Sequence, residues 1–370
     1  MRKHVFGCRL AGLAVAMGVL LLVSVPYAQA GMRGDINGDG VIDFADINPF
    51  IECIIHGVCP NEWVERTPET PEYSPSARCD HAMAYDSARK VTVLFGGWNQ
   101  DGFLNDTWEW NGITWTQIAT PTAPSPRNYP AMAYDPASCK VVLFGGGLGN
   151  DAWLNDTWEW DGVAWTNRTP ADPNASPSPR TEAGMIYDEA HCVMLLFGGQ
   201  HGYDFYGDTW QWDSCAGSWT QLFPAVSPEG RCGPAMAYDE ARGEVVMFGG
   251  VHYFWDERRE TWCWNGSTWI DRTPNGETSS PPGAVGPKMV YDADRQLIVL
   301  FGGYKTATFY DETWEWNGSV WARRLLDSHP AARMSHAMAY DSARQVAVMF
   351  GGAYTLPGDS YGDTWEYGAP

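Results

Sequence analysis

Apolar and polar residues alternate through positions 105–116, Asn-Asp-Thr-Trp-Glu-Trp-Asn-Gly-Ile-Thr-Trp-Thr, which predicts two short strands on either side of Asn111-Gly112. An Asn-Gly pair between such runs predicts a two-residue type I′ hairpin, with positive φ at both central positions. The phrase returns at 155–166, 207–220, 259–270 and 311–322 and breaks off at 362–367. Two other phrases recur in fixed order with it. One is Arg-x-x-His-Ala-Met-Ala-Tyr-Asp at 78–86 and 333–341, with variants at 127–135, 180–188, 231–239 and 284–292. The other is an apolar run ending in Phe-Gly-Gly, at Phe95, Phe144, Phe197, Phe248, Phe301 and Phe350, in steps of 49, 53, 51, 53 and 49 residues. A period near 50 predicts one supersecondary unit repeated six times, because a β-sandwich does not repeat in sequence at one period.

The paired glycines, the aromatic third strand and the single tryptophan of the fourth resemble kelch repeats over residues 61–370. The resemblance implies an all-β fold, a six-bladed kelch-type β-propeller with strands A to D in each blade. The sixth copy stops after strand C. Glu62-Trp-Val-Glu-Arg-Thr-Pro68 matches Thr268-Trp-Ile-Asp-Arg-Thr-Pro274, so an N-terminal outer strand is expected to close the ring and remove its exposed edges. Small residues such as Ala82 and Ala84 suit strand A at the crowded axis, and the glycine pairs suit the exit of strand B. Strands C and D take 17 of the 20 tryptophans, which makes those 17 structural.

Composition changes the picture at the N-terminus. Arg2, Lys3 and Arg9, the apolar stretch 10–25 and Ala28-Gln29-Ala30 read as a secretory signal peptide over residues 1–30, cleaved after Ala30. Its loss would take the net charge from −21 to −24. That acidity argues against nucleic acid or anionic lipid as partner, and no later stretch is long and apolar enough to span a membrane. Cys8 leaves with the leader, and eight cysteines remain in a route that permits disulfides; Cys53 and Cys59 are the expected pair.

Residues 35–46 place oxygen ligands at Asp35, Asn37, Asp39, Asp43 and Asp46, with the Val41 carbonyl at loop position 7 and Gly40 at the bend. A hard cation takes six to eight oxygens, so this spacing predicts an EF-hand-type Ca2+ site followed by a short helix, about 45–56. The segment, within a small 31–60 unit, resembles a dockerin repeat, present in one copy where the family normally carries two. The resemblance implies a cohesin-type or surface scaffold partner.

Antiparallel blades put the tight A–B and C–D turns on one face and the longer B–C and D–A connections on the other. The three remaining tryptophans, Trp98, Trp153 and Trp255, fall in B–C loops, as do His201, Tyr203, His252 and Tyr304. Aromatics on loops of a rigid scaffold suit a glycan or a protein, or they plug the loops inward. Arg78, Arg127, Arg180, Arg231 and Arg333 begin strand A on this face: they could hold carboxylated sugars, or pair with an aspartate or backbone of a neighbouring blade, which the blade period favours. His81 and His336 occupy equivalent positions without a third ligand. Asp106, Asp156, Asp208 and Asp363 read as caps of the B–C turn. No Ser-His-Asp signature, phosphate loop or HExxH motif is present. A non-catalytic binding or scaffold protein is the expected function. The alternative is a carbohydrate-active enzyme at the channel mouth, since galactose oxidase and sialic-acid mutarotases are also kelch propellers.

Overall fold

Apolar runs of four or five residues, rich in Val, Leu, Met and Phe, pair antiparallel into six four-stranded sheets. The computed structural model describes residues 61–149, 152–253, 256–276, 280–355 and 359–368, all within the unit Asn61–Pro370. The leader, the calcium loop at 35–46, the Cys53–Cys59 pair and Trp255 lie outside the described residues. In blade one, strand A is Ala82–Asp86, B is Val91–Asn99, C is Gly102–Trp110 and D is Trp115–Ile118. Blades two to five repeat this order. Blade six takes A from Ala337–Asp341, B from Val346–Phe350, C from Thr364–Gly368 and D from Glu62–Glu65, with Trp63 opposite Tyr367. The predicted closure by a strand from the other end of the domain is therefore present.

Blades meet through one repeated contact. Each strand-D tryptophan donates its indole N–H to a strand-C threonine of the preceding blade: Trp165 to Thr107, Trp219 to Thr157, Trp269 to Thr209, Trp321 to Thr261, Trp63 to Thr313 and Trp115 to Thr364. These bonds are 2.8–3.1 Å long and buried. The same ring meets the Phe-Gly-Gly phenylalanine of that preceding blade edge-on, as Trp165 meets Phe95 at 5.1 Å. The threonine of Asp-Thr-Trp is thus fixed by the indole it satisfies, and the tryptophan by both.

The paired glycines prove to be close-approach sites. At Gly97 (φ +98°) an added Cβ would lie 2.6 Å from the Cys79 carbonyl oxygen and 2.8 Å from the Cβ of His81. Its N–H reaches the Arg127 carbonyl of the next blade. The C–D turn differs from the type I′ expectation. Asn111 keeps negative φ, and only Gly112 is left-handed. The Asn111 side-chain oxygen accepts from the N–H groups of Ile113 and Thr114, both at 2.9 Å, which stabilises a four-residue loop instead of a two-residue one. Among the described residues no helix is long and apolar enough to cross a membrane.

Candidate functional site

The five blade arginines begin as a ring at the D–A face, but the structure withdraws them as ligand contacts. Each is 0–1% exposed. Arg78 grips Asp106 with two nitrogens at 2.6 and 2.8 Å and donates to the Gly96 carbonyl at 3.0 Å. Arg127–Asp156, Arg180–Asp208 and Arg333–Asp363 repeat this geometry, and Arg231 uses Glu260. The partner carboxylate belongs to the arginine's own blade, not to a neighbour. The aspartates consequently do not cap the B–C turn by backbone N–H groups. They take the guanidinium and the indole N–H two residues on, as Asp106 does from Trp108 at 2.7 Å. Burial pushes the Asp106 and Asp208 carboxyls up, and the arginine bonds outweigh it and hold both below the usual carboxylate range.

Trp98 and Trp153 do not fall in B–C loops as expected: Trp98 lies within strand B of blade one, paired with Phe103, and Trp153 opens strand C of blade two, because both strands run on past the Phe-Gly-Gly irregularity. With the B–C connections of the other blades they form an aromatic rim in which several rings meet across blades. Trp153 of blade two stands edge-on to His201 of blade three at 4.2 Å. Phe205 of blade three faces His252 of blade four at 5.7 Å, and His252 also hydrogen-bonds the Gly230 carbonyl. Tyr354 and Tyr361 pair at 4.5 Å in blade six. Trp98 and Tyr304 hold one equivalent position, directly after Phe-Gly-Gly in blades one and five. Both are half-buried against Cys79, Met334 and Ala353, with Phe309 4.8 Å from Tyr304. These two read as plugs. Tyr203 is 89% exposed, and Tyr253 and Tyr354 are also exposed.

At the axis, strand A lines a channel of 330 Å³ with alanine, methionine and tyrosine. Its D–A mouth narrows to a ring that sequence reasoning missed. One residue per blade, Asp80, Tyr129, Glu182, Gly233, Gly286 and Ser335, takes a left-handed backbone with φ between 52° and 66°. Such a backbone is unusual outside glycine and persists only where the surroundings over-determine it. Here a chain of hydrogen bonds of 2.7–3.2 Å does so: Glu182 N–H to Tyr129 carbonyl, Tyr129 to Asp80, Asp80 to Ser335, Ser335 to Gly286 and Gly233 to Glu182. The six positions stand two residues after the repeated arginine (Ala284 in blade five). They carry four different side chains and two glycines, and their immediate neighbours, from Cys79 to Met334 and from His81 to His336, vary as well, so nothing in the repeat marks them out.

The ring encloses a 40 Å³ cavity that shares His81, Pro130, Ala183, Pro234 and Lys288 with the channel. Burial pushes the Asp80 carboxyl up to about 6, against the pull of Tyr129, Cys79 and Ser335 beside it. Burial and then Asp80 push Glu182 up to about 7, and its Oε1 accepts from Gln200 at 3.0 Å. Burial lowers the Lys288 ammonium in spite of both carboxylates. Lys288 stands at a register where the other blades have Ala82, Ala131, Gly184, Ala235 and Ala337. His81 and His336 are buried edge-on to Phe350 and Phe301, each at a separate blade interface, and burial holds both imidazoles well below their usual range. Among the described residues no three His, Cys, Asp or Glu side chains converge to hold a metal ion, and Cys79, Cys139, Cys192, Cys215, Cys232 and Cys263 are free thiols.

This geometry is that of a six-bladed, fully closed propeller. A family model of the kelch-repeats domain of KLHDC2, KLHL20 and DRC7 matches residues 54–227, so that stretch is similar to a kelch-repeat domain. No curated protein matches the chain. Among solved structures, that of YjhT is similar with a TM-score of 0.59 at 13% identity, over 79% of this chain and 95% of that one, a likeness of fold alone.

Proposed function

We propose that the chain is a secreted, non-catalytic binding protein whose B–C/D–A face takes a glycan or a protein ligand. Residues 31–60 would hold Ca2+ through Asp35, Asn37, Asp39, Val41, Asp43 and Asp46 and tether the propeller to a cohesin-type or surface scaffold partner. The observation that carries the reading is the aromatic rim. Trp153 and His201, Phe205 and His252, and Tyr354 and Tyr361 stand together on one face of a rigid ring, and Tyr203 projects beyond them. Aromatic faces offer area at little entropic cost to sugar rings or protein hot spots. The test is a glycan and protein array probed with the chain and with Tyr203→Ala and Tyr354→Ala variants. Selective binding that the variants weaken supports the reading; turnover of a sugar without stable binding overturns it. Calorimetry with Ca2+ should find about one ion per chain, lost in Asp35→Ala.

One observation favours a second reading, a carbohydrate-active enzyme at the channel mouth: Asp80, Tyr129, Glu182 and Lys288 stand together with shifted proton affinities. Conversion of free sugars abolished by Glu182→Gln would establish it over the first.

A further inference from the structure

Lys288 is the sole departure from alanine or glycine at its register in the six blades, and it lines both the channel and the small axial cavity. Among the described residues no carboxylate comes within 4.0 Å of its ammonium, although Glu182 and Asp80 both act on it electrostatically. Opposite charges are therefore held apart across an enclosed space, where direct contact would ordinarily close the gap. Asp80 is satisfied on one oxygen only, its Oδ2 accepting from the Cys79 thiol at 3.4 Å. It is 9% exposed, its Oδ1 is buried without a hydrogen-bond partner, and it faces the same cavity. A buried acceptor left unmade is costly, so a group that satisfies it binds with that advantage.

The chemistry of the lining selects the occupant. An anion would meet Asp80 and Glu182. A cation would meet Lys288. A hydroxyl does neither, since it donates to a carboxylate oxygen and accepts from an ammonium through the same atom. The 40 Å³ cavity accepts one such group, because a water takes about 30 Å³ in the liquid. The adjoining channel, 330 Å³ and walled by Met83, Met132, Met185 and Met236, has the size and mixed lining of a small-molecule site, which runs from about 300 Å³ upward. Gly233 and Gly286 leave one side of the ring without side chains.

We infer that the axial cavity is a subsite for a neutral sugar or polyol, one hydroxyl of which bridges the Lys288 ammonium and the Asp80 carboxyl. The inference rests on the ligand-binding reading of this face and names the group that is seated at its centre. Glu182 flanks the bridge, with its Oε1 accepting from Gln200 at 3.0 Å.

The experiment is calorimetry of the full chain with glucose, galactose, mannose and myo-inositol, and with glucuronic acid as the acidic counterpart. At least one neutral compound is expected to bind, with glucuronic acid weaker than glucose. Lys288→Ala and Asp80→Asn should each weaken binding at least tenfold. Lys288→Ala installs the residue that four other blades carry, so its fold is expected to persist, checked by its melting curve. Neutral sugars failing to bind, or binding Lys288→Ala as they bind the parent, overturn the inference and leave the cavity to water. If array ligands still depend on Tyr203 and Tyr354 while Lys288→Ala has no effect, the axial subsite fails and the reading of the face survives. Sugar binding lost in Lys288→Ala but indifferent to the rim supports the subsite and refutes the rim.

Discussion

Trp63 gives the sharpest test of how the ring is held. It is 1% exposed, stands 5.1 Å from both Phe301 and Tyr367, and donates to Thr313 at 2.9 Å. It is also the one strand-D tryptophan that reaches its blade from the far end of the domain. Trp63→Ala removes a fully buried indole and should cost about 3–5 kcal/mol. At roughly 2 °C per kcal/mol for a chain of this length, the melting temperature should fall about 6–10 °C. Trp63→Phe keeps a ring against Phe301 but removes the donor to Thr313, and should cost about 1 kcal/mol beyond the difference in volume. Trp165→Ala in blade two is the control, with the same contacts on a strand held by chain on both sides. Urea denaturation and light scattering are the readouts. Release of Glu62–Glu65 exposes the edge of Thr364–Gly368, so Trp63→Ala should also aggregate more than Trp165→Ala. A Trp63→Ala protein within about 1 kcal/mol of the parent would falsify ring closure by this strand. Deletion of residues 61–70 with an unchanged melting curve would do the same.

The remaining predictions concern the axis, the arginines and the glycines. Glu182 is raised to about 7 when folded, so the stability it contributes is full below the ordinary carboxylate range and is lost as pH rises through 7. Glu182→Gln should therefore gain about 3 kcal/mol over the parent at pH 8.5 and almost nothing at pH 4.5, read by denaturation at the two values. His81 and His336 act oppositely: their folded affinities are lowered, so their contribution is present above pH 6.5 and declines as pH falls below it, equally in both proteins. Arg127→Met leaves Asp156 and the Gly145 carbonyl without their buried donor and should cost about 3–5 kcal/mol. Asp156→Leu added to it should recover part of the loss, and strict additivity in a double-mutant cycle would sink the ion-pair account. Gly97→Ala meets backbone at 2.6 Å and should cost about 3 kcal/mol, whereas Gly102→Ala (φ +127°) meets nothing within 4 Å and should show only the backbone strain, about 1 kcal/mol. Equal melting temperatures for the two would separate the cost from close approach.

The repeat carried most of the fold in the sequence. Phe-Gly-Gly, Asp-Thr-Trp and the lone tryptophan recur because each blade must present the same edge to the next. Blade number, strand order, the role of Trp63 and the loop face were therefore legible without coordinates. Local rules were less reliable where a side chain could compete with the backbone. Asn111 looked like half of a type I′ turn, yet its own oxygen takes two N–H groups and sets a longer loop. Arg78 was recognisable as periodic, but its carboxylate lies 28 residues on, at Asp106, and no spacing rule selects that aspartate over a neighbouring blade's.

The sequence by itself determined the scaffold, because a repeated contact leaves a repeated signature. Only the tertiary structure decided the axial site. Asp80, Tyr129, Glu182, Gly233, Gly286 and Ser335 are about 50 residues apart along the chain and become neighbours only when the ring closes. Lys288 likewise is a single charge in one strand until the ring sets it among five small residues of the other blades. What a closed ring places on its axis is set by the sum of six separate positions, and no single stretch of the chain contains it.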